Sequence, residues 1–141
     1  FENGRPDEPL RWLLADPRAL QVQALIDFLW LRVLDLPGAL GTRAYGTTGE
    51  LTIEVVDGFP QHKTTTVLLR VSDPSAPTCQ LTDRQPDLRL NLSALSAASL
   101  GGASFTALAG GGRARELRPG SLGRADAMFV TQPAPYCTTM F

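Results

Sequence analysis

The chain has 141 residues, of which 43% are apolar and 19% are charged, and its formal net charge is −1. This length suits a single domain with a hydrophobic core, and the composition is that of a globular protein. The thirteen basic residues are scattered, which argues against a nucleic-acid partner. The apolar runs are shorter than the roughly 20 residues of a membrane-spanning helix. With no signal-peptide pattern, the sequence predicts a cytoplasmic protein.

The first nine residues, FENGRPDEP, are polar and contain glycine and proline. They are typical of an interdomain linker, so we expect residues 1–9 to connect a preceding domain to a domain formed by residues 10–141. Pro9 favours the first turn of a helix, and Asp7 and Glu8 are expected near the positive end of that helix.

The next part of the chain is apolar but ambiguous. Helical spacing predicts a helix from Leu10 to Asp16, which Pro17 ends. Within Leu20–Leu36, strand and helix periodicities compete. We interpret Phe28–Leu34 (FLWLRVL) as a central strand buried on both faces, because it is apolar apart from one arginine. A short helix is predicted for Leu36–Arg43.

Clear alternation of apolar and polar residues predicts the strands of a sheet. Leu51–Val55 and Val67–Val71 are expected to form an antiparallel hairpin. Thr78–Thr82 and Leu88–Leu92 are expected to form a second pair, with a turn at Asp83–Asp87 between them.

The last third of the chain predicts short helices and one strand. Ser93 and Ser104 are candidate N-caps of two helices that glycines close, Arg113–Leu117 is a candidate strand, and Ser121 is a candidate cap for the final helix. One face of that final helix is apolar: Leu122, Ala125, Met128 and Phe129. The sequence therefore predicts an α+β fold with an antiparallel sheet of about five strands and helices packed on one face.

Internal residues offer little chemistry. The single histidine, His62, lies in a polar loop, and Cys79 and Cys137 are far apart in sequence, so we predict no metal site. Gly110–Gly112 lacks the Lys-Ser/Thr of a phosphate loop. Arg43–Thr48 (RAYGTT) resembles a loop that cradles the pyrophosphate of coenzyme A, but it leads into a strand where such a loop would open a helix. We therefore predict that this chain binds no cofactor.

The C-terminal stretch Arg124–Phe141 has a different character. It begins as the end of the final helix and continues as a tail stiffened by Pro133 and Pro135, with Tyr136 and Phe141 as apolar anchors. The α-carboxyl group of Phe141 would titrate near ~3.5 when free. Burial beside aromatic surface would raise its pKa toward the range where a general base works well.

Five segments resemble the C-terminal domain of the Eis (enhanced intracellular survival) acetyltransferases of actinobacteria. The most specific element is the terminal aromatic residue shortly after a Pro-aromatic-Cys triplet. The segments are LRWLLADPRAL (residues 10–20), FLWLRVLDLPGALGTRAY (28–45), LSALSAASLGG (92–102), RARELRPGSLGRADAMF (113–129) and APYCTTMF (134–141).

The resemblance implies a sterol-carrier-protein-like fold that follows two GCN5-related acetyltransferase regions, which bind acetyl-CoA and are absent from this chain. It also implies that the tail threads into the acetyltransferase core, where the carboxylate of Phe141 acts as general base toward an amine substrate. Tyr136 and Met140 become candidates for the substrate pocket. The general acid of the family, a tyrosine, belongs to the absent regions, and the family assembles as hexamers.

One departure concerns the substrate. Aminoglycoside-modifying members carry an acidic residue just before the final phenylalanine, where this chain has Met140, and an acid there would attract a polycationic drug. Aminoglycoside-like and lysine-like amines therefore both stay open. Two other functions are alternatives: a module that binds an apolar ligand in a cavity lined by Leu20–Leu34, and a domain that serves oligomer assembly alone.

Overall fold

The computed structural model describes residues 4–5, 7–24, 30–60 and 62–137. A short 3-10 turn at Pro17–Ala19 follows the first helix, which ends at Leu13 rather than at Asp16 as predicted. The helices and strands of the described residues are, in order, α1 (Leu10–Leu13), α2 (Leu36–Thr42), β1 (Gly49–Asp57), β2 (Lys63–Val71), β3 (Thr78–Leu81), β4 (Leu88–Asn91), α3 (Leu92–Ser99), α4 (Phe105–Gly110), β5 (Ala114–Glu116) and α5 (Ser121–Phe129).

The hairpin β1–β2 forms the middle of the sheet, as predicted. The two strands pair antiparallel from Gly49 opposite Val71 to Asp57 opposite Lys63. Because side chains alternate along a strand, one face carries the buried residues Leu51, Ile53, Val55, Val67, Leu69 and Val71. Leu68 lies on the opposite face and is also buried. In the part of the chain that the structure describes, the strands form one sheet in the order β3-β2-β1-β4-β5.

The predicted pairing of the second two strands is wrong. β3 pairs antiparallel with β2, whereas β4 pairs parallel with β1, with Leu88 opposite Ile53. The connection 82–87 therefore carries the chain past β2 and β1. It is held on the way by Arg84, whose guanidinium lies 3.0 Å from the carboxylate of Glu50. Alternation shows which face a side chain occupies but not which strand lies next to it. The sheet remains mainly antiparallel, and the α+β class is confirmed.

The predicted central strand at Phe28–Leu34 is also wrong where the structure describes it. Phe28 and Leu29 lie outside the described residues, and residues 30–34 form no strand. The side chains of Trp30 and Leu34 are 86% and 88% exposed. The inner places in the sheet belong to β2, β1 and β4, which are flanked on both sides.

Helix caps agree with the sequence in one case of three. Ser104 caps α4 as predicted. α3 begins earlier than expected, because the side chain of Asn91 caps it and Ser93 lies inside the helix. Gly120, with φ of 83°, precedes α5, so Ser121 is the first helical residue rather than the cap. Its hydroxyl group instead donates a hydrogen bond to a backbone carbonyl.

A single hydrophobic cluster joins the sheet to the helices. The buried apolar residues of α2, α3, α4 and α5 belong to it, and Leu122 of the predicted apolar face of α5 packs against it partly buried. The ring of Phe129 packs edge-on against those of Tyr45 and Phe105, with centroids 5.2 and 4.8 Å away. The end of α5, from which the tail leaves, is therefore firmly anchored.

No helix within the described ranges is both long enough and apolar enough to span a membrane.

Candidate functional site

The C-terminal tail leaves α5 over the turn that ends α3. Gly101 in that turn has φ of +85°, and a Cβ atom there would lie 2.7 Å from both the carbonyl oxygen of Phe129 and Oγ1 of Thr131. Glycine is therefore needed for its backbone conformation and for the close approach of the tail. The hydroxyl of Thr131 donates a hydrogen bond to the carbonyl of Leu100 at 3.2 Å. This turn sets the direction in which the tail departs.

Further along, the segment Pro133–Pro135 is held by the beginning of the chain. The N–H of Ala134 donates a hydrogen bond to Oδ2 of Asp7 at 3.0 Å. Oδ1 of the same carboxylate lies 3.4 Å from Nε of Arg5. The hydrogen bond from Ala134 holds the pKa of Asp7 below its usual value, against the opposing effect of desolvation and with a lesser contribution from the charge of Arg5. Asp7 thus binds the tail and makes no cap to α1.

Of the three residues assigned to the site from sequence, one lies within the described residues. Tyr136 follows the anchored segment, and its residue surface is 37% exposed. Met140 and Phe141 lie outside the described residues, so their roles stay predictions.

A small cleft of about 120 Å³ lies beside the start of the tail. Its charged group is Asp126, whose carboxylate accepts hydrogen bonds from the N–H of Phe105 and from the N–H and hydroxyl of Thr106. These bonds tie α5 to the N-terminus of α4, so this carboxylate is committed to structure. The sequence analysis missed Asp126; the signal for it was a polar residue directly beside the apolar face of α5. The lining residues are Gly101, Ala103, Ser104, Asp126, Phe129 and Val130.

A wider groove of about 350 Å³ runs along the edge of the sheet where β2 extends past the end of β3. It carries the charges of Lys63 and Asp83 between threonine hydroxyls. His62 is exposed and does not line this groove. Among the described residues of the groove, no threonine hydroxyl donates a hydrogen bond to a carboxylate or an imidazole. A hydroxyl without such a base is a poor nucleophile, so these residues show no arrangement for covalent chemistry.

Cys79 is unsuited to act as a nucleophile. Burial, with a smaller effect of the nearby Asp35 carboxylate, raises the pKa of its thiol to about 11. A thiol is reactive as the thiolate, so Cys79 is almost entirely unreactive near neutral pH. Among the residues that the structure describes, no three His, Cys, Asp or Glu side chains lie close enough together to hold a metal ion.

The coenzyme-A-like loop at Arg43–Thr48 has a structural role. The guanidinium of Arg43 lies 4.7 Å from the ring centroids of both Tyr45 and Phe129. It donates hydrogen bonds to the carbonyls of Ser99 at 2.6 Å and Phe129 at 2.9 Å. Burial lowers the pKa of Arg43. The loop then leads into β1, as predicted, and its arginine is occupied with the end of α5.

Residues 36–138 match the sterol carrier protein domain family, and the chain belongs to this family. The match begins at α2 and includes the sheet, the helices and the described part of the tail. The predicted sterol-carrier-protein-like fold is thereby confirmed.

The relatives of known class are acetyltransferases. An uncharacterized N-acetyltransferase from Streptomyces avermitilis is 39% identical over 137 residues, covering 96% of this chain and 32% of that protein. The N-acetyltransferase Eis of Mycobacterium bovis BCG is 32% identical over 129 residues, covering 89% of this chain and 30% of Eis.

The fold gives the same result. Eis1 from Mycobacterium abscessus superimposes with a TM-score of 0.81 at 32% identity, over 96% of this chain and 34% of that structure. The resemblance to Eis acetyltransferases is confirmed as a likeness of sequence and of fold. The chain spans about a third of the length of these relatives.

Proposed function

We propose that this chain is the sterol-carrier-protein-like C-terminal domain of an acetyl-CoA-dependent N-acetyltransferase that acts on primary amines. The observation that carries the proposal is the likeness to N-acetyltransferases over 96% of the chain, at 39% identity in sequence and with a TM-score of 0.81 to Eis1 in fold. In such an enzyme, acetyl-CoA binds to the other regions of the polypeptide. This domain contributes one catalytic group and part of the substrate pocket.

The catalytic group is the carboxylate that Phe141 carries where the protein ends at this residue. As the amine nitrogen attacks the thioester carbonyl, its surplus proton passes to the carboxylate, and the coenzyme A thiolate leaves and takes a proton from a general acid outside this chain. A general base needs a pKa near the working pH. An aromatic neighbour such as Tyr136 would help to desolvate the carboxylate and so raise its pKa.

Elimination within the described residues supports this assignment. Asp126 is engaged by α4, Asp7 by the tail, and the thiol of Cys79 is protonated near neutral pH. The tail itself has a fixed course as far as Ala134. This attachment supports the proposal that a group beyond Ala134 serves the reaction.

An exposed apolar segment fits the same setting. Arg32 binds both carboxylate oxygens of Asp57 at 2.8 Å, and the N–H of Val33 donates to Ser96, so residues 32–33 are held on the domain. Trp30 and Leu34 on either side remain exposed. Large exposed apolar patches on a protein commonly mark interfaces. We assign this one to contact with the acetyltransferase regions of the same polypeptide.

The substrate class is a primary amine. A carboxylate base accepts the proton of any such amine, and Met140 lacks the charge that would attract a polycationic aminoglycoside. Binding of an apolar ligand has less support, because the described apolar side chains Val22, Trp30 and Leu34 of the stretch expected to line a cavity are exposed.

Deletion of Phe141 from the full-length enzyme tests the proposal. We expect kcat to fall by about 10²–10⁴, the usual contribution of a general base. Phe141→Leu is the matched control, because it keeps a terminal carboxylate at the same position and should retain most of the turnover. The deletion leaves a terminal carboxylate on Met140, one residue short of its place in the wild type. Unchanged turnover in the deletion variant would therefore refute a catalytic role that depends on the position of the carboxylate.

A further inference from the structure

The segment Pro133-Ala134-Pro135 has an unusual supply of hydrogen-bond donors. Proline carries no backbone N–H, so the N–H of Ala134 is the single backbone donor of the three residues. This N–H donates a hydrogen bond of 3.0 Å to Oδ2 of Asp7, which lies 127 positions earlier in the chain. The two prolines restrict the backbone on both sides of this bond. One contact thus holds a stiff stretch of the tail.

The acceptor is itself oriented. The guanidinium of Arg5 lies 3.4 Å from Oδ1 of Asp7. Hydrogen bonds to an ionised carboxylate are shorter and stronger than neutral ones. Glu8 also approaches Arg5, at 4.0 Å, but within the described residues no hydrogen bond or ion pair joins it to the tail. The chain therefore offers two neighbouring carboxylates, of which one holds the tail.

We propose that Asp7 is a positioning residue: it clasps the tail at Ala134 and thereby sets where the terminal carboxylate of Phe141 is presented to the substrate amine. This inference rests on the proposed function. It adds to that function a residue at the opposite end of the sequence. The clasp joins the segment that leads into the domain to the segment that leads out of it.

Chain length gives a lower bound on the effect. From Ala134 to Phe141 there are seven residues, whereas from the preceding anchor, Thr131, there are ten. The effective concentration at the end of a tether falls roughly as the −3/2 power of its length, so losing the clasp lowers it about 1.7-fold. Loss of orientation adds to this, because a misplacement of about 1 Å can cost up to 10²-fold in rate. We expect a fall in kcat of roughly two- to tenfold.

The experiment compares Asp7→Ala, Asp7→Asn and Glu8→Ala in the full-length enzyme. Asp7→Ala should lower kcat without changing the KM for acetyl-CoA. Asp7→Asn retains an acceptor oxygen for Ala134 and should recover most of the turnover. Glu8→Ala, which removes the carboxylate beside Arg5 that does not touch the tail, should behave as the wild type.

A second readout does not depend on activity. In a fragment covering residues 133–135, the amide of Ala134 is the exchangeable backbone hydrogen, so hydrogen-exchange mass spectrometry reports the clasp directly. Exchange should speed up in Asp7→Ala and stay slow in Glu8→Ala. Equal exchange in Asp7→Ala and wild type would overturn the clasp.

The kinetic outcomes separate the two proposals. If deletion of Phe141 lowers turnover while Asp7→Ala leaves it unchanged, the positioning role is overturned and the base remains. If the deletion leaves turnover unchanged, the base is overturned, and the positioning role with it.

Discussion

Asp87 offers the sharpest test of how this domain is held together. The residue is 4% exposed and lies where the connection from β3 reaches β4. Its backbone N–H donates to the carbonyl of Thr52 at 2.8 Å, and its Oδ2 accepts from the N–H of Thr52 at 2.9 Å. Oδ1 lies 3.0 Å from Nε of Arg118, and Arg124 approaches Oδ2 at 3.7 Å. One side chain thus joins β1 to the segment around α5.

Replacing Asp87 with alanine removes the acceptor for the N–H of Thr52. This N–H is buried, because Thr52 is only 5% exposed. An unsatisfied buried donor costs about 1–3 kcal/mol. The side chains of Arg118 and Arg124 are 63% and 37% exposed and regain water, so the loss of the ion pairs adds at most about 1 kcal/mol. We expect a total of about 1–4 kcal/mol. Asp87→Asn keeps an acceptor oxygen and should cost about 1 kcal/mol.

The measurement is urea unfolding of the 141-residue chain followed by circular dichroism, with midpoint and slope fitted together. Asp73→Ala is the control, because Asp73 accepts from Ser75 in an exposed turn and should shift the midpoint least. A cost below about 1 kcal/mol for Asp87→Ala would contradict the role of the buried hydrogen bond. Equal costs for the alanine and asparagine variants would instead assign the effect to charge.

Two further predictions concern a glycine pair and a thiol. Gly101→Ala should destabilise the domain by about 1–3 kcal/mol more than Gly120→Ala. Both glycines have positive φ, but of the two only Gly101 would bring a Cβ into a clash, 2.7 Å from the carbonyl oxygen of Phe129. Equal unfolding midpoints of the two variants would contradict this. In Cys137→Ser, iodoacetamide should label Cys79 roughly 100-fold more slowly at neutral pH than a thiol with the ordinary pKa of 9.0, because its pKa is raised to about 11. The thiol of the unfolded chain loses its proton at a lower pH than the buried thiol, so the free energy of unfolding should fall as the pH rises from 9.0 to about 11. Labelling of Cys79 at the rate of an ordinary exposed thiol would contradict its burial.

The sequence predicted the elements whose signal is local. Alternation over β1 and β2 and the apolar face of α5 are visible within ten residues, and all three were correct. The parallel pairing of β4 with β1 was not predicted. It depends on two contacts with β1, the hydrogen bond between Asp87 and Thr52 and the ion pair between Arg84 and Glu50. In sequence, Asp87 and Arg84 are only polar positions of a turn.

Residues 30–34 show why apolar composition misled. A run such as FLWLRVL predicts burial, but burial can occur against another part of a larger protein as well as in a domain's own core. Within this chain, Val33 alone of the described members of that run is buried, and Trp30 is 86% exposed. Since the chain spans about a third of its relatives' length, core and interface residues look alike in its sequence.

The tail also shows that a local sequence pattern does not reveal a long-range contact. Its prolines and aromatic residues identified it as a candidate site, and in the structure the one backbone N–H of the Pro-Ala-Pro segment is hydrogen-bonded. Nothing in the local pattern indicates which of fourteen acidic residues supplies the acceptor. The acceptor is Asp7, in the segment predicted as a linker. If acetyltransferase regions precede this chain, as the proposed function requires, then the direction from which they lead into the domain also bears on the position of the tail. A change at the start of the domain would then alter the position of the tail that carries the proposed catalytic group, without any change in the core.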